Sequence, residues 1–343
     1  MSMIKAIGVR EALPVNHEDC FVEVELKTPE ATGRDLLVRI RGISVNPVDC
    51  KQRQMIEGPL KEPRILGWDV CGEIVAVGSD VENFTVGEQV IYAGDITRPG
   101  CYAQMQLVDE RLVGPKPETI TEEEAASLPL TALAAWEALF DRLDVDKTNS
   151  RDGKAILIIG GSGGLGSMAV QLARKLTNCT VITTASRAES KEWCLKMGAH
   201  HVLDHSKPLP EQMTKIGFET VPYILNCNNN VPYWEAMSEM VSPEGSICLV
   251  ASTKAKLDLD IFMKKSVRIS WELMFTRSIF STKTMANQGD ILSRVSKLVD
   301  TGVLTHTKTM SLGEMTTHSL AAAHAQVESG KMIGKLSLGG ISD

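Results

Sequence analysis

The run Gly160-Gly161-Ser162-Gly163-Gly164-Leu165-Gly166 follows an apolar stretch, Ala155–Ile159, and opens a segment with apolar residues at helical spacing: Leu165, Met168, Ala169, Leu172, Ala173 and Leu176. Strand, glycine turn and amphipathic helix in that order are compatible with few folds. Within the turn, Gly161-x-Gly163-x-x-Gly166 gives each glycine a purpose. The first permits a tight turn, the second lets the backbone approach a pyrophosphate, and the third lets the helix close on its strand. Backbone N–H groups at the helix start, from Gly163, Gly164 and Leu165 with Ser162 before them, then face phosphate oxygens. A ligand-free connector could use the same residues, so the surroundings decide. Beyond the turn, apolar strands are expected at Thr180–Thr184, 202–203, 223–227, 246–250 and 267–271, separated by helical segments. Six such strands predict an α/β doubly wound parallel sheet that binds a dinucleotide.

A chain of 343 residues exceeds what one core serves, so a second domain is expected. Residues 1–128 carry short β-rich runs, such as 36–40 and 71–77, punctuated by Gly, Pro and Asp, and read as a mostly antiparallel β domain. A helix is expected over 122–143, opened by Thr121 with Glu124 in a capping-box pattern and broken or kinked at Pro129. The tail holds helices over 291–299 and 320–327 and a strand over 334–338, elements able to rejoin the first domain. The expected division is 1–128 with 287–343 in one domain, and 129–286 in the other.

Charge and cysteine usage exclude several function classes. The net charge is −7 with signs interspersed, which leaves no basic stripe for nucleic acid. No apolar run approaches the ~20 residues of a bilayer span, and residues 3–9 read as a first strand rather than a signal peptide, so a cytoplasmic protein is expected. The eight cysteines form no Cys-x-x-Cys pair, against a disulfide framework or a cysteine-clustered metal site.

Cofactor choice is read at the end of the second strand, Thr184-Ala185-Ser186-Arg187. No Asp or Glu stands there to take the ribose hydroxyls. The hydroxyl of Ser186 and the guanidinium of Arg187, with Lys191 a turn later, suit the 2′-phosphate of NADPH. Solvated cations at a helix start are the other reading. Asn226, Ala251 and Ser252 follow the fourth and fifth strands, where open parallel sheets bind ligands. His200, His201 and His205 have no cysteine at ligand spacing, so a cofactor-edge or surface role is expected for them.

Val45-Asn46-Pro47-Val48-Asp49, 86–90, Leu128-Pro129-Leu130-Thr131, the glycine turn, Met197-Gly198-Ala199 and 271–277 occur in an order that resembles the medium-chain dehydrogenase/reductase superfamily. The match runs nearly end to end and is strongest to the quinone-oxidoreductase branch, including zinc-type alcohol dehydrogenase-like proteins. The resemblance implies a GroES-like catalytic domain built from both chain ends, an inserted Rossmann domain, a substrate cleft at their junction, and a homodimer or homotetramer. It also implies that His205 lies near the adenosine phosphate and that Lys335 reaches the cofactor. Alone, Lys335 reads as an exposed lysine.

Zinc-dependent relatives hold their metal with cysteine and histidine. Here the corresponding stretches read Ser44-Val45-Asn46-Pro47 and Gly67-Trp68-Asp69, with Trp68 at the histidine position, and the cysteine lobe of the structural zinc reduces to Cys101. No metal is therefore expected. Reduction of a quinone or an enone with NADPH becomes the natural chemistry, because the nicotinamide supplies the hydride and the protein needs to position it and donate a hydrogen bond. The resemblance makes Asn46 the first candidate donor, with a turn-forming role as the alternative. Asp49 orients the loop or relays a proton with Lys51, and Thr131 faces the nicotinamide or caps a helix. Trp68, Trp271, Met274 and Phe275 form an apolar wall for a flat acceptor, or are plain core. Two other readings stay open: a zinc-dependent alcohol dehydrogenase, and a crystallin- or sensor-like protein that keeps NADPH without turnover.

Overall fold

The computed structural model describes residues 2–145 and 154–342. In chain order the strands are β1 Met3–Val9, β2 Val22–Lys27, β3 Asp35–Ser44, β4 Arg64–Ile65, β5 Val70–Val77, β6 Gln89–Tyr92, β7 Met105–Asp109 and β8 Gly114–Pro115, then β9 Ala155–Ile159, β10 Thr180–Thr184, β11 His201–Leu203, β12 Val221–Asn226, β13 Val241–Leu249 and β14 Arg268–Trp271, and finally β15 Lys308–Glu314 and β16 Lys335–Gly339. The helices are α1 Pro47–Gln54, α2 Glu122–Ala126, α3 Pro129–Trp136, α4 Gly164–Leu176, α5 Ala188–Lys196, α6 Leu209–Lys215, α7 Trp234–Met240, α8 Thr276–Ile279, α9 Asn287–Asp300 and α10 Thr317–Glu328.

Backbone contacts divide the chain into two units, Met1–Leu133 with Phe275–Asp343, and Ala134–Met274. In the first unit, one sheet has the order β15-β16-β3-β5-β6-β8, with β7 also on β3, and a smaller sheet has the order β2-β1-β4. Pairing is antiparallel throughout except between β15 and β16. The chain ends meet here: β16 lies antiparallel to β3, with Ser337 opposite Ser44. The second unit is a six-stranded sheet, β11-β10-β9-β12-β13-β14, parallel at every pair. Its strand order reverses direction after β9, which creates the switch point at which such sheets bind ligands.

Two sequence boundaries move. The divisions expected at 128/129 and 286/287 fall at 133/134 and 274/275. Asp69 accepts a hydrogen bond from the Leu130 backbone and so fastens the start of α3 to the first unit, while Phe275 packs edge-on against Trp68. The helical segment over 122–143 is interrupted before Pro129, as expected, with Pro129 opening α3, and a π-helical turn over Glu137–Arg142 follows. The Thr121/Glu124 capping box is present, with Thr121 N–H donating to Glu124 Oε2 at 2.9 Å.

The glycine turn shows why its residues are glycine. Gly160 takes φ +86°, which favours glycine. A Cβ on Gly161 would lie 1.8 Å from Thr183 Oγ1, and one on Gly166 would lie 2.1 Å from the Gly160 carbonyl oxygen. Gly163 differs. It is the N-cap of α4 at φ −72°, ψ 172°, and a Cβ there would meet protein at no less than 3.8 Å. Gly166→Ala should therefore destabilise the fold by roughly 1–3 kcal/mol of overpacking and lower its melting temperature, whereas Gly163→Ala should melt as the parent does. Equal melting of the two variants would contradict this division of labour.

Candidate active site

In the first unit, one buried polar cluster draws on four separated segments. Asp69, just before β5, is fully buried, and three donors converge on its carboxylate: Leu130 N at 2.9 Å to Oδ1, Asn46 Nδ2 at 2.9 Å and Lys335 Nζ at 3.1 Å to Oδ2. That is the arrangement of an ionised carboxylate. Burial pushes the carboxyl of Asp69 upward, and the charge of Lys335 followed by the hydrogen bond from Asn46 opposes this most strongly. Lys335, at 4% exposure, also donates to Asn46 Oδ1 at 2.5 Å and to the Val45 carbonyl at 3.1 Å. Lys335, which the resemblance takes to the cofactor and which read alone is an exposed lysine, is interior here, since β16 threads into the sheet beside β3 and carries its first residue inward.

Asn46 is the N-cap of α1, and its backbone N–H donates to Asp49 Oδ2 at 2.6 Å. Its side-chain amide is largely committed: Oδ1 takes Lys335, one Nδ2 hydrogen goes to Asp69, and the other finds only the Ser44 carbonyl at 3.4 Å. Asp49 is fully buried, and its Oδ1 lacks an aligned partner. Burial raises its carboxyl to about 7, with the Asn46 backbone N–H and Lys335 as the main opposing influences and Asp69 adding to the rise. Lys51 points outward as an exposed residue of α1. Thr131 Oγ1 donates to the Leu128 carbonyl at 3.1 Å, so its hydroxyl serves its own helix.

The cluster does not fit a zinc ion. An amide stands at Asn46, and at the histidine position Trp68 is an indole that is fully buried and donates Nε1–H to the Asp95 carbonyl at 3.2 Å. An ammonium group, Lys335 Nζ, sits among the carboxylate and amide oxygens that a cation would need.

In the second unit, Thr184 at the end of β10 holds the glycine turn: its Oγ1 accepts from Gly160 N at 3.0 Å and its carbonyl from Gly161 N at 3.2 Å. Ser162, Gly163, Gly164 and Leu165 are half-buried, leaving backbone N–H groups available at the start of α4. Ser167, in the first turn, donates to the Gly163 carbonyl at 2.7 Å and accepts from Trp193 Nε1 at 2.7 Å, which ties α5 to the turn. Nothing in the residue pattern signalled that link.

Beyond β10, Arg187 is the N-cap of α5 and is 40% exposed at its side chain, with Ser190 Oγ at 3.1 Å and Glu189 at 3.4 Å. Ser186 beside it is half-buried. Lys191 pairs with Asp204 at 3.4 Å. His205 Nδ1 is buried without a partner, and desolvation lowers the ring's pKa, with Lys191 and Arg187 adding to the fall against Asp204. These groups therefore share one neighbourhood. Asn226 is fully buried and its side chain holds the following loop, donating to Asn230 Oδ1 at 2.9 Å and accepting from Asn228 N at 3.0 Å. Asn230 continues the chain of bonds to the Ala251 carbonyl at 2.6 Å, a role the sequence did not reveal. Ala251 is half-buried and Ser252 exposed.

The four apolar candidates separate. Trp68 and Phe275 pack edge to face with ring centroids 6.3 Å apart in the first unit, and Met274 is buried. Trp271, at the end of the outermost strand of its sheet, is 52% exposed and is not core.

Comparison with known proteins gives two family matches, the second of which runs from the second unit past Met274 into the first. Residues 32–118 match the alcohol dehydrogenase GroES-like domain, and residues 164–319 match the zinc-binding dehydrogenase family. A zinc-type alcohol dehydrogenase-like protein of Staphylococcus epidermidis is 39% identical over 97% of this chain and 98% of its own. A solved structure from Rhizobium etli, provisionally named a zinc-dependent alcohol dehydrogenase, is 43% identical with TM-score 0.95 over 100% of both chains. The quinone oxidoreductase of Coxiella burnetii is 26% identical with TM-score 0.80, covering 98% of this chain and 99% of that one.

The unequal fates of the two buried carboxylates can be measured. Asp49 has its pKa raised in the folded state, so its contribution is full below the unfolded carboxylate range and is lost as pH rises toward 7. Relative to Asp49→Asn, the parent should lose on the order of 2–4 kcal/mol between about pH 4 and 7 in urea unfolding. A pH-independent difference would remove Asp49 as a raised group. Lys335→Met, which strands Asp69, should cost about 3–5 kcal/mol in the same assay at pH 7.

Proposed function

Because the chain belongs to the medium-chain dehydrogenase/reductase superfamily, in its quinone oxidoreductase branch, we propose that it is a zinc-independent, NADPH-dependent reductase acting on quinones or α,β-unsaturated carbonyl compounds. The observation that carries this reading is the chemistry of the buried cluster, in which an amide, an indole and an ammonium stand among the positions of a metal's ligands. Such a set offers no Lewis acid to hold an alkoxide, so an acceptor already activated by conjugation is the fitting partner.

Members of this family bind a nicotinamide cofactor, which when bound supplies the hydride. The second unit suits it: Gly163 leaves room at the N-terminus of α4 for close approach of a pyrophosphate. We assign Arg187, Lys191 and Ser186 to the 2′-phosphate, with the unpartnered His205 Nδ1 at its edge. Glu189 and Asp204 hold the two cations in place.

In the first unit, we assign the weakly engaged Nδ2 hydrogen of Asn46 to the acceptor oxygen. Lys335 on Oδ1 polarises the same amide and strengthens that donor. Asp49, titrating near neutrality, is assigned as the store of the proton that accompanies the hydride. Assembly as a homodimer or homotetramer accords with β14, whose outer edge ends the sheet and carries the exposed Trp271.

The test is oxidation of NADPH and of NADH against quinones, enones and simple alcohols, with and without a zinc chelator. Chelator-insensitive reduction of quinones or enones with NADPH preferred is expected, and Arg187→Ala should cut that preference about 10- to 100-fold. Alcohol turnover abolished by the chelator would overturn the reading. Tight NADPH binding with no turnover on any acceptor would replace it with a non-catalytic role.

A further inference from the structure

A second group of chemically potent side chains lies in the first unit, between α1 and α10. Cys50 Sγ, a ring nitrogen of His324 and a carboxylate oxygen of Glu328 all lie within 4.8 Å of one another. Cys50 and His324 are buried, at 3% and 0% exposure. The helical register explains the meeting: His324 and Glu328 stand one turn apart on α10, and α10 packs on α1, which carries Cys50.

Three features set this group apart from ordinary core. The first is an unpartnered ring nitrogen. His324 Nε2 is hydrogen-bonded to Tyr102 Oη at 2.9 Å, but its Nδ1 is buried with no partner. A buried ring nitrogen left empty costs on the order of 1–3 kcal/mol. A histidine whose other nitrogen is anchored by a hydrogen bond is also the usual form of a metal ligand.

The second feature is the availability of Glu328. Arg53 Nη2 at 2.5 Å and Gln54 Nε2 at 3.0 Å both bind its Oε1, which leaves Oε2 to ligate. The third is access. Glu328, Arg53 and Gln54 line a cavity of about 420 Å³ together with the segment Ala12–Asn16, so the side of the cluster at Glu328 opens to a water-sized route.

We propose that Cys50, His324 and Glu328 form a binding site for a divalent metal of the zinc class, separate from the Asp69–Lys335 cluster and independent of the proposed reductase activity. Thiolate, imidazole and carboxylate are a zinc donor set, and three protein ligands leave a fourth position for water. Binding releases the Cys50 thiol proton to solvent. The two anionic ligands beside the Arg53 cation then give a net charge that a divalent ion overcompensates by one. Ligation at about 2.0–2.3 Å requires the three atoms to draw together by roughly an ångström, an adjustment within reach of side-chain rotation.

Cobalt(II) titration of the metal-stripped, full-length protein tests this through a readout separate from turnover. One ion per chain is expected, with the near-ultraviolet thiolate-to-cobalt band and the visible absorption of a tetrahedral or five-coordinate site, and added zinc should bleach both. Cys50→Ser should abolish the thiolate band. Glu328→Gln, which retains Cys50 and alters a partly exposed side chain, should weaken binding by more than about tenfold, since outer-shell losses alone cost 10- to 100-fold. Absence of a stoichiometric thiolate band in the parent, or its persistence in Cys50→Ser, would overturn the proposal. Unchanged affinity in Glu328→Gln would overturn the carboxylate's part in it.

Discussion

The pairing of Asp69 with Lys335 organises the first unit. A carboxylate removed from water tolerates its burial only where charge and donors compensate it, and here the compensation comes from three other places in the chain. Lys335 brings the C-terminal strand, Asn46 the turn before α1, and Leu130 the first turn of α3. Each segment is thereby fixed to the others by a group that none can withdraw without stranding a charge. Asn46, proposed above as the donor to the acceptor oxygen, is thus also one of the residues that close the fold, so replacing it perturbs the fold as well.

Within the second unit, the constraint is steric rather than electrostatic. Thr183 and Thr184, consecutive on β10, act on the turn from two sides: one fills the space a side chain at Gly161 would need, and the other accepts the backbone N–H of Gly160. The turn is consequently shaped by the neighbouring strand before any ligand arrives. Pre-shaping of this kind lowers the ordering cost of phosphate binding, and it separates the glycines required by the protein itself, Gly161 and Gly166, from Gly163, where the protein leaves space.

Much of this was legible in the residues. Ala155–Ile159 was readable as a strand because a continuous apolar run of that length, bounded by a charge and a glycine, has few other uses, and Thr180–Thr184 because every one of its residues is β-branched. Pro129 was readable as an interruption because it lacks an N–H. The burial of Lys335 was not readable, because its sequence neighbours carry no sign of the partners that bury it; Asn46 and Asp69 lie hundreds of positions away in sequence. The same blindness hid Asn230 and Ser167, whose roles depend on where a loop or a helix returns. Asn226 and Thr131 show the converse: a polar residue at a ligand-binding end of a strand or helix can be committed to its own backbone neighbourhood.

The separation of 289 residues between Asn46 and Lys335 has a consequence for biosynthesis. The second unit is one continuous stretch and can complete its parallel sheet while the remainder is still being translated. The first unit cannot. Its N-terminal strands leave the ribosome early, yet Asp69 has no counter-charge until β16 has been made, so this half of the nascent chain waits, hydrated and unclosed, for that strand. A chain lacking that strand would carry an uncompensated interior carboxylate and would leave β3 without its antiparallel neighbour.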